Sequence, residues 1–417
     1  MRILLSPAGS HGDVHPFVGL GVALKARGHE VHLLTADHFR HLAADNHFDD
    51  FAATMTEADF QTMTNDPLLW HPRRGLEAVF NPAIIGPAIR RTYALIAERY
   101  KPGETVVLAG VLSHAARLAN ENLGVPLATV HLQPMAMYSV ENPARYATFV
   151  SIRWLPRVGR RAFYRMGDFV IDRMAAPVLN EFRQELGLPR VKRVYSRWVN
   201  SPQLVVGLFP EWYGTAPDWP PQTRLTGFVR YDQAAGGVPA EVEAFLSNGE
   251  PPIVFTFGSA MRQGAELFRV SAEACKLLGK RGLLLARGKE QIPSELPPTI
   301  LHAEYAPFSK VLPRAAAVVH HGGIGTCAQA LAAGVPQLVV PLAFDQPDNA
   351  ERLGKLGVGR WIGRRRFKPK RAAKVLRELL AMPRGACERW AKAMAEGDPV
   401  REACEHIEGL VRASVEA

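Results

Sequence analysis

The stretch that most constrains this chain is Ala317-Val-Val-His-His-Gly-Gly-Ile-Gly-Thr326: an apolar strand, a glycine-rich turn, then a helix of small residues that runs towards Gly334. A strand that feeds a helix through so short a turn belongs in a parallel sheet with helices on its faces. The turn also has a chemistry. The first N–H groups of a helix lack partners and lie at the positive end of its dipole, so they attract phosphate oxygens. Glycines at 322, 323 and 325 let the backbone approach an anion closely and take positive φ. Thr326 adds a hydroxyl donor, and His321 an imidazole N–H.

The same rhythm runs through the whole chain. Residues 2–6, 31–35, 105–109 and 127–131 are predicted strands, and the pattern restarts at 253–257, 283–286, 317–320 and 337–340. Helical periodicity marks 17–27, which Gly28 closes, then 266–278 and 325–333. With 417 residues, too many for one ordinary core, the expectation is α/β class with two parallel-sheet units. The expected division is 1–213, a Pro-, Gly- and Trp-rich linker at 214–237, then 238–397. A final helix within 398–417 packs on one unit or the other. Residues 151–189 break the rhythm with a basic, aromatic-rich helical pair that suits packing, an apolar pocket or a membrane interface.

Composition narrows the class. No run approaches the ~20 apolar residues that span a bilayer, and the apolar start of the chain reads as a first strand, so the cytoplasm or the inner membrane face is expected. The four cysteines have no metal-type or paired spacing and read as reduced thiols. A net charge of +10 favours an anionic partner, with the densest run at 364–371. Neither zinc-finger spacing nor an RNA-binding aromatic signature is present, which argues against nucleic acid.

Gly323-x-Gly325-x-x-Ala328 also satisfies the loose dinucleotide fingerprint. It stands far from the first strand, and two histidines precede it, both against a nicotinamide or flavin enzyme. Tyr305-Ala-Pro-Phe308, His320-His-Gly-Gly-Ile-Gly-Thr326, Ala333-Gly-Val-Pro336 and Pro341-Leu-Ala-Phe-Asp-Gln346 together resemble the donor-binding signature of family 1 (UDP-glycosyltransferase-like) glycosyltransferases, nearest to bacterial and sterol-glucosylating members. Gly9-Ser-His-Gly-Asp-Val-His-Pro16 resembles the acceptor-side loop of the same group.

The resemblance implies the GT-B fold: two facing Rossmann-like domains with parallel sheets and a deep cleft, donor in the second and acceptor in the first. It implies that His321, Gly323, Gly325, Thr326 and Ser259 hold the diphosphate of a UDP- or TDP-sugar co-substrate. Tyr305 would stack on the base, Gln329 reach the ribose, and Asp345 with Gln346 bond the sugar hydroxyls. Relatives often have Glu in place of Gln329 and Arg in place of His11. No separate cofactor or metal is expected.

The chemistry needs a base for the acceptor hydroxyl and positive potential for the departing diphosphate. The loop after the first strand offers His11, Asp13 and His15, with Asp13 the first candidate base and His11 the second. Asp13 also suits a plain helix cap. Phe60, Leu68 to Trp70, Phe80, 131–140 and 151–189 are expected to line a pocket for a lipophilic acceptor such as a sterol, polyketide, carotenoid or glycolipid. The resemblance implies inverting hexosyl transfer as the activity. A sugar-nucleotide epimerase of the same architecture and a non-catalytic sugar-nucleotide or lipid-binding module are the alternatives.

Overall fold

The computed structural model describes residues 1–72, 74–146, 151–232, 237–258, 261 and 263–415, with side chains to Leu410. Ser259 lies outside the described residues. Strands β1 (Arg2–Ser6), β2 (Glu30–Ala36), β3 (Asp50–Met55), β4 (Thr105–Gly110), β5 (Leu127–His131), β6 (Leu204–Gly207) and β7 (Thr223–Leu225) form one sheet in the order β3-β2-β1-β4-β5-β6-β7. Strands β8 (Ile253–Thr256), β9 (Gly282–Leu285), β10 (Ile300–Ala303), β11 (Ala317–His320), β12 (Gln337–Val339) and β13 (Gly359–Trp361) form a second, in the order β10-β9-β8-β11-β12-β13. Every recorded pairing is parallel. Central strands such as Ile3–Leu5 and Ile253–Phe255 are fully buried, as parallel strands covered on both faces must be.

Each sheet changes direction once, between β1 and β4 in the first and between β8 and β11 in the second. Helix His11–Ala26 leaves the first of these points, and helix Ile324–Ala332 the second. Crevices at such switch points are where open α/β sheets bind ligands.

The first helix begins at His11, earlier than its periodicity suggested, so His11, Asp13 and His15 stand on helical turns instead of in a loop. Gly28 takes φ 84° beyond the cap residue Arg27, as a left-handed terminus requires. Residues 151–189 hold one long helix, Arg157–Glu185, where a helical pair was expected, and Pro177 lies inside it. Thr223–Leu225, inside the stretch read as a linker, is an edge strand of the first sheet. The last helix, Pro399–Val415, crosses back: Ala403, Cys404, Ile407 and Leu410 join the core around β1 and the helix His11–Ala26. Arg27 clamps it through both carboxylate oxygens of Glu408, at 2.7 Å each. All four cysteines are buried and free.

Candidate active site at the facing switch points

The donor half is assembled from the carboxyl end of the second sheet. Gly322 takes φ 97°, and an added Cβ there would lie 2.7 Å from Val339 and 3.1 Å from the Gln346 carbonyl, so only glycine fits the turn. His320 braces it: its Nδ1 accepts from the Gly322 N–H at 3.1 Å, and its Nε2 pairs with Gln337 at 3.0 Å. His321 is buried beside Gly258 and Gly323, where an added Cβ would stand 3.0 and 2.5 Å from its Nε2. Burial pushes its pKa down to about 4, so the ring is neutral at pH 7. Gly325 faces open space, Thr326 is half-buried, and Gln329 is buried three residues further along the same helix face.

Asp345 and Gln346 open the helix Gln346–Lys355 after β12. Asn349 donates to Asp345 Oδ2 at 2.7 Å and to the Gly322 carbonyl at 2.9 Å, tying the sugar-side loop to the glycine turn. Tyr213, from the first unit's final crossover, donates to Asn349 Oδ1 at 3.0 Å. Gln346 spends its Oε1 on the backbone N–H groups of Leu342 and Ala343. Tyr305 follows β10 and is about one-third exposed. The structure thus brings His321, Gly323, Gly325, Thr326, Asp345 and Gln346 to one rim, with Tyr305 further along the same sheet edge.

The acceptor half rises from β1. Asp13 Oδ2 accepts from the Ser10 N–H at 2.7 Å and the Ser10 hydroxyl at 3.0 Å. The helix-cap use of Asp13 is therefore real, and it holds one carboxylate oxygen only. Gly9 takes φ 132°, and an added Cβ there would fall 2.3 Å from Asp13 Oδ2. Burial raises the Asp13 pKa, against the two Ser10 bonds that lower it. His11 is buried, with ring centroids 4.8–5.4 Å from Phe39, His15 and His38.

The two halves meet. Arg287, just past β9, lies 3.0 Å from His11 Nε2. Asp345 has its pKa raised to about 7, first by burial and then by the charge of Asp13. Trp70 does not join the other pocket-lining candidates of its own unit; it packs on the second unit's core. Phe60 stacks on His38 at 4.9 Å, and Phe80 lies 5.5 Å from Tyr195, both within the first unit. Arg287 and the cross-cleft place of Trp70 were not read from sequence. For Arg287 there was a usable signal: an arginine immediately following a predicted parallel strand sits at the ligand-binding edge.

Two parallel-sheet units whose switch points face across a cleft, one opening a glycine-rich helix and the other presenting a buried carboxylate, define the GT-B architecture. Residues 3–142 match the glycosyltransferase family 28 N-terminal domain, and residues 283–405 the erythromycin biosynthesis protein CIII-like C-terminal domain. O-mycaminosyltylonolide 6-deoxyallosyltransferase of Streptomyces fradiae is 31% identical over 443 residues, spanning 98% of this chain and 97% of that one. The solved glycotransferase of kitacinnamycin superposes with a TM-score of 0.72 at 23% identity, over 98% of this chain and 99% of that one. The Streptomyces sp. SF2575 glycosyltransferase SsfS6, complexed with thymidine diphosphate, superposes with a TM-score of 0.65 at 23% identity over the full length of both. The chain belongs to the family 1 glycosyltransferases, among the bacterial members that include natural-product enzymes.

Proposed function

We propose that this enzyme moves a hexose from a TDP- or UDP-sugar to a hydroxyl of a lipophilic small molecule, with inversion at the anomeric carbon and Asp13 as base. The observation that carries the reading is the contact of Arg287 with His11 Nε2 at 3.0 Å, which sets the helix that bears Asp13 against the donor edge of the second sheet. The charge of Asp13, which helps raise the pKa of Asp345, supports a place for Asp13 beside the sugar that Asp345 would bind.

With Oδ2 held by Ser10, Oδ1 is left to take the acceptor proton. The acceptor oxygen then bonds to the anomeric carbon as the bond from that carbon to the diphosphate breaks. The departing charge falls on the N–H groups opened at Gly323, on Thr326 and on His321. His11 is the weaker candidate, because Arg287 occupies its Nε2 and burial with that charge lowers its pKa to about 2.

The thymidine diphosphate held by SsfS6 supports a pyrimidine nucleotide, with the partly exposed Tyr305 offering a ring for the base and Gln329 an amide for the ribose. The Gln346 nitrogen and the Asp345 carboxylate offer a donor and an acceptor to sugar hydroxyls. The sugar nucleotide is a co-substrate, and the helix opening supplies the positive potential that the leaving group needs. The Streptomyces fradiae relative is named for 6-deoxyallosyl transfer to an O-mycaminosyltylonolide, which supports a small-molecule acceptor.

The outer face of helix Arg157–Glu185 suits contact with an anionic membrane surface at which such an acceptor dissolves. Val158, Met166, Phe169 and Val170 are exposed there, as is Trp154 just before it. Arg161, Arg165 and Arg173 are exposed beside them. The acidic groups between 158 and 173 turn elsewhere: Asp168 is buried against Arg193 and Ser196, and Asp172 accepts from the backbone at 193 and 194. Among the described residues no helix is long and apolar enough to cross a membrane.

The test is a screen of TDP- and UDP-sugars against a panel of hydrophobic alcohols, read by mass spectrometry. A hexose mass increment on an alcohol with matching nucleotide release is expected. A protein that binds no pyrimidine nucleotide overturns the reading.

A further inference from the structure

Trp70 sits in the connection between helices Glu57–Asn65 and Gly75–Val79 of the first unit, yet its indole packs on the second unit's core cluster, which includes Phe257, Met261 and Leu342. The ring meets His321 nearly edge-on, with centroids 6.4 Å apart at 89°, and Phe344 at 5.8 Å and 71°. Gly75 permits this approach: an added Cβ there would stand 2.5 Å from the Leu69 carbonyl and 3.3 Å from the Phe344 ring. Phe344 in turn holds φ 53°, a left-handed conformation uncommon for an aromatic residue, one position before Asp345.

Each ring of this pair carries a buried polar atom without a protein partner: the Trp70 Nε1–H and His321 Nδ1. Leaving a buried N–H unbonded costs about 1–3 kcal/mol, and such groups in a native fold call for a reason. Packing alone does not supply one, since phenylalanine would fill an apolar seat without the penalty. The indole nitrogen is a donor only, so whatever satisfies it must present an acceptor. The helix that opens at Gly323 turns its first N–H groups to the same kind of atom.

We propose that Trp70 is a donor-site residue supplied by the acceptor domain, its indole N–H giving a hydrogen bond to an oxygen of the nucleotide diphosphate beside His321. The diphosphate site is then built from both units, with Trp70 the contribution of the first. The contact with Phe344 extends this to the loop that carries Asp345. The inference rests on the nucleotide-sugar reading above.

The experiment labels the tryptophan indoles with ¹⁵N, identifies the Trp70 resonance by its loss in Trp70→Phe, and titrates the wild type with TDP and with UDP. A downfield move of that resonance with the nucleotide that binds is expected. Calorimetry on Trp70→Phe is expected to show binding weakened about tenfold or more, the scale of losing a hydrogen bond to a charged group, with the unfolding midpoint retained. An unmoved Trp70 resonance under saturating nucleotide overturns the proposal, and if the variant does not fold, the absence of movement in every indole resonance of the wild type overturns it equally. So does a folded Trp70→Phe with affinity within twofold of wild type. A wild type that binds neither nucleotide defeats the donor reading itself, a separate result.

Discussion

His11 Nε2 accepts a hydrogen bond from Arg287 Nη1, 3.0 Å away on the opposite wall of the cleft. Guanidinium has no acceptor, so the imidazole carries its proton on Nδ1. Burial is the larger cause of its lowered pKa and Arg287 the next. Imidazole nitrogen shifts of His11 are therefore expected to stay flat from pH 4 to 8. In Arg287→Ala the pKa should rise but remain below 6.5, because burial persists. A His11 pKa unchanged by Arg287→Ala would show that the two walls do not meet in solution.

Asp13→Asn is expected to lower turnover by about 10²–10⁴-fold, the usual worth of a general base, while nucleotide affinity survives. In the wild type the rate should rise with pH as Asp13 ionises, on a limb above the ordinary carboxylate range because burial raises that group. The charge of Asp13 helps raise Asp345, so the Asp345 carboxyl should titrate below about 7 in Asp13→Asn. The wild-type profile of kcat/KM and the Asp345 carboxyl carbon shifts of both proteins decide it. An Asp345 that still titrates near 7 in Asp13→Asn contradicts the coupling.

Much of this was legible in the residues, for identifiable reasons. The central strands are fully buried and unbroken in apolar pattern, and the glycines at 322, 323 and 325 sit where their chemistry points. Edge strands escaped. Asp50–Met55 and Gly359–Trp361 are partly exposed and mix polar with apolar residues, so no periodicity marks them. The start of the first helix was hidden by Pro16, a residue that ordinarily ends or opens a helix, here lying within it. Trp70 was invisible as a donor-side residue, because packing across a cleft leaves no trace in local sequence.

Burial holds His11, His15, His114, His131, His320 and His321 neutral, with pKa values lowered to between about 2 and about 4. Between those values and about 6.5 the unfolded chain binds protons that the folded one refuses. Their contribution to stability is full above pH 6.5 and is lost as the pH falls towards 4. Asp345, raised to about 7, acts in the opposite sense, since its ionisation disfavours the fold as pH rises from about 4 to 7. Asp13, also raised by burial, acts in the same sense as Asp345, but six groups outweigh two, so the melting temperature is expected to fall steadily from pH 6.5 to 4.5. Calorimetric scans in that window check it, and a flat or rising profile would contradict the neutral histidines.

The outer face of Arg157–Glu185 makes a lipid-specific prediction. Sedimentation with vesicles rich in phosphatidylglycerol should exceed that with phosphatidylcholine vesicles and should weaken with salt, as charge attraction requires. Phe169→Glu, whose side chain is 64% exposed, should abolish the excess without altering turnover on a soluble acceptor. Equal recovery with both lipids removes the membrane from the account.

Gly323 and His321 form the last testable pair. A methyl group at Gly323 would lie 2.5 Å from His321 Nε2, and the Gly258 side of the ring offers little retreat. Gly323→Ala should therefore displace the imidazole, and His321→Ala should remove it. Each is expected to weaken TDP or UDP binding by about 1–3 kcal/mol. Because both changes act through one ring, the double variant should lose much less than the sum, whereas independent sites would add. Calorimetry on the four proteins closes the cycle. Additive losses would mean that His321 does not touch the nucleotide and that Gly323 acts on the backbone alone.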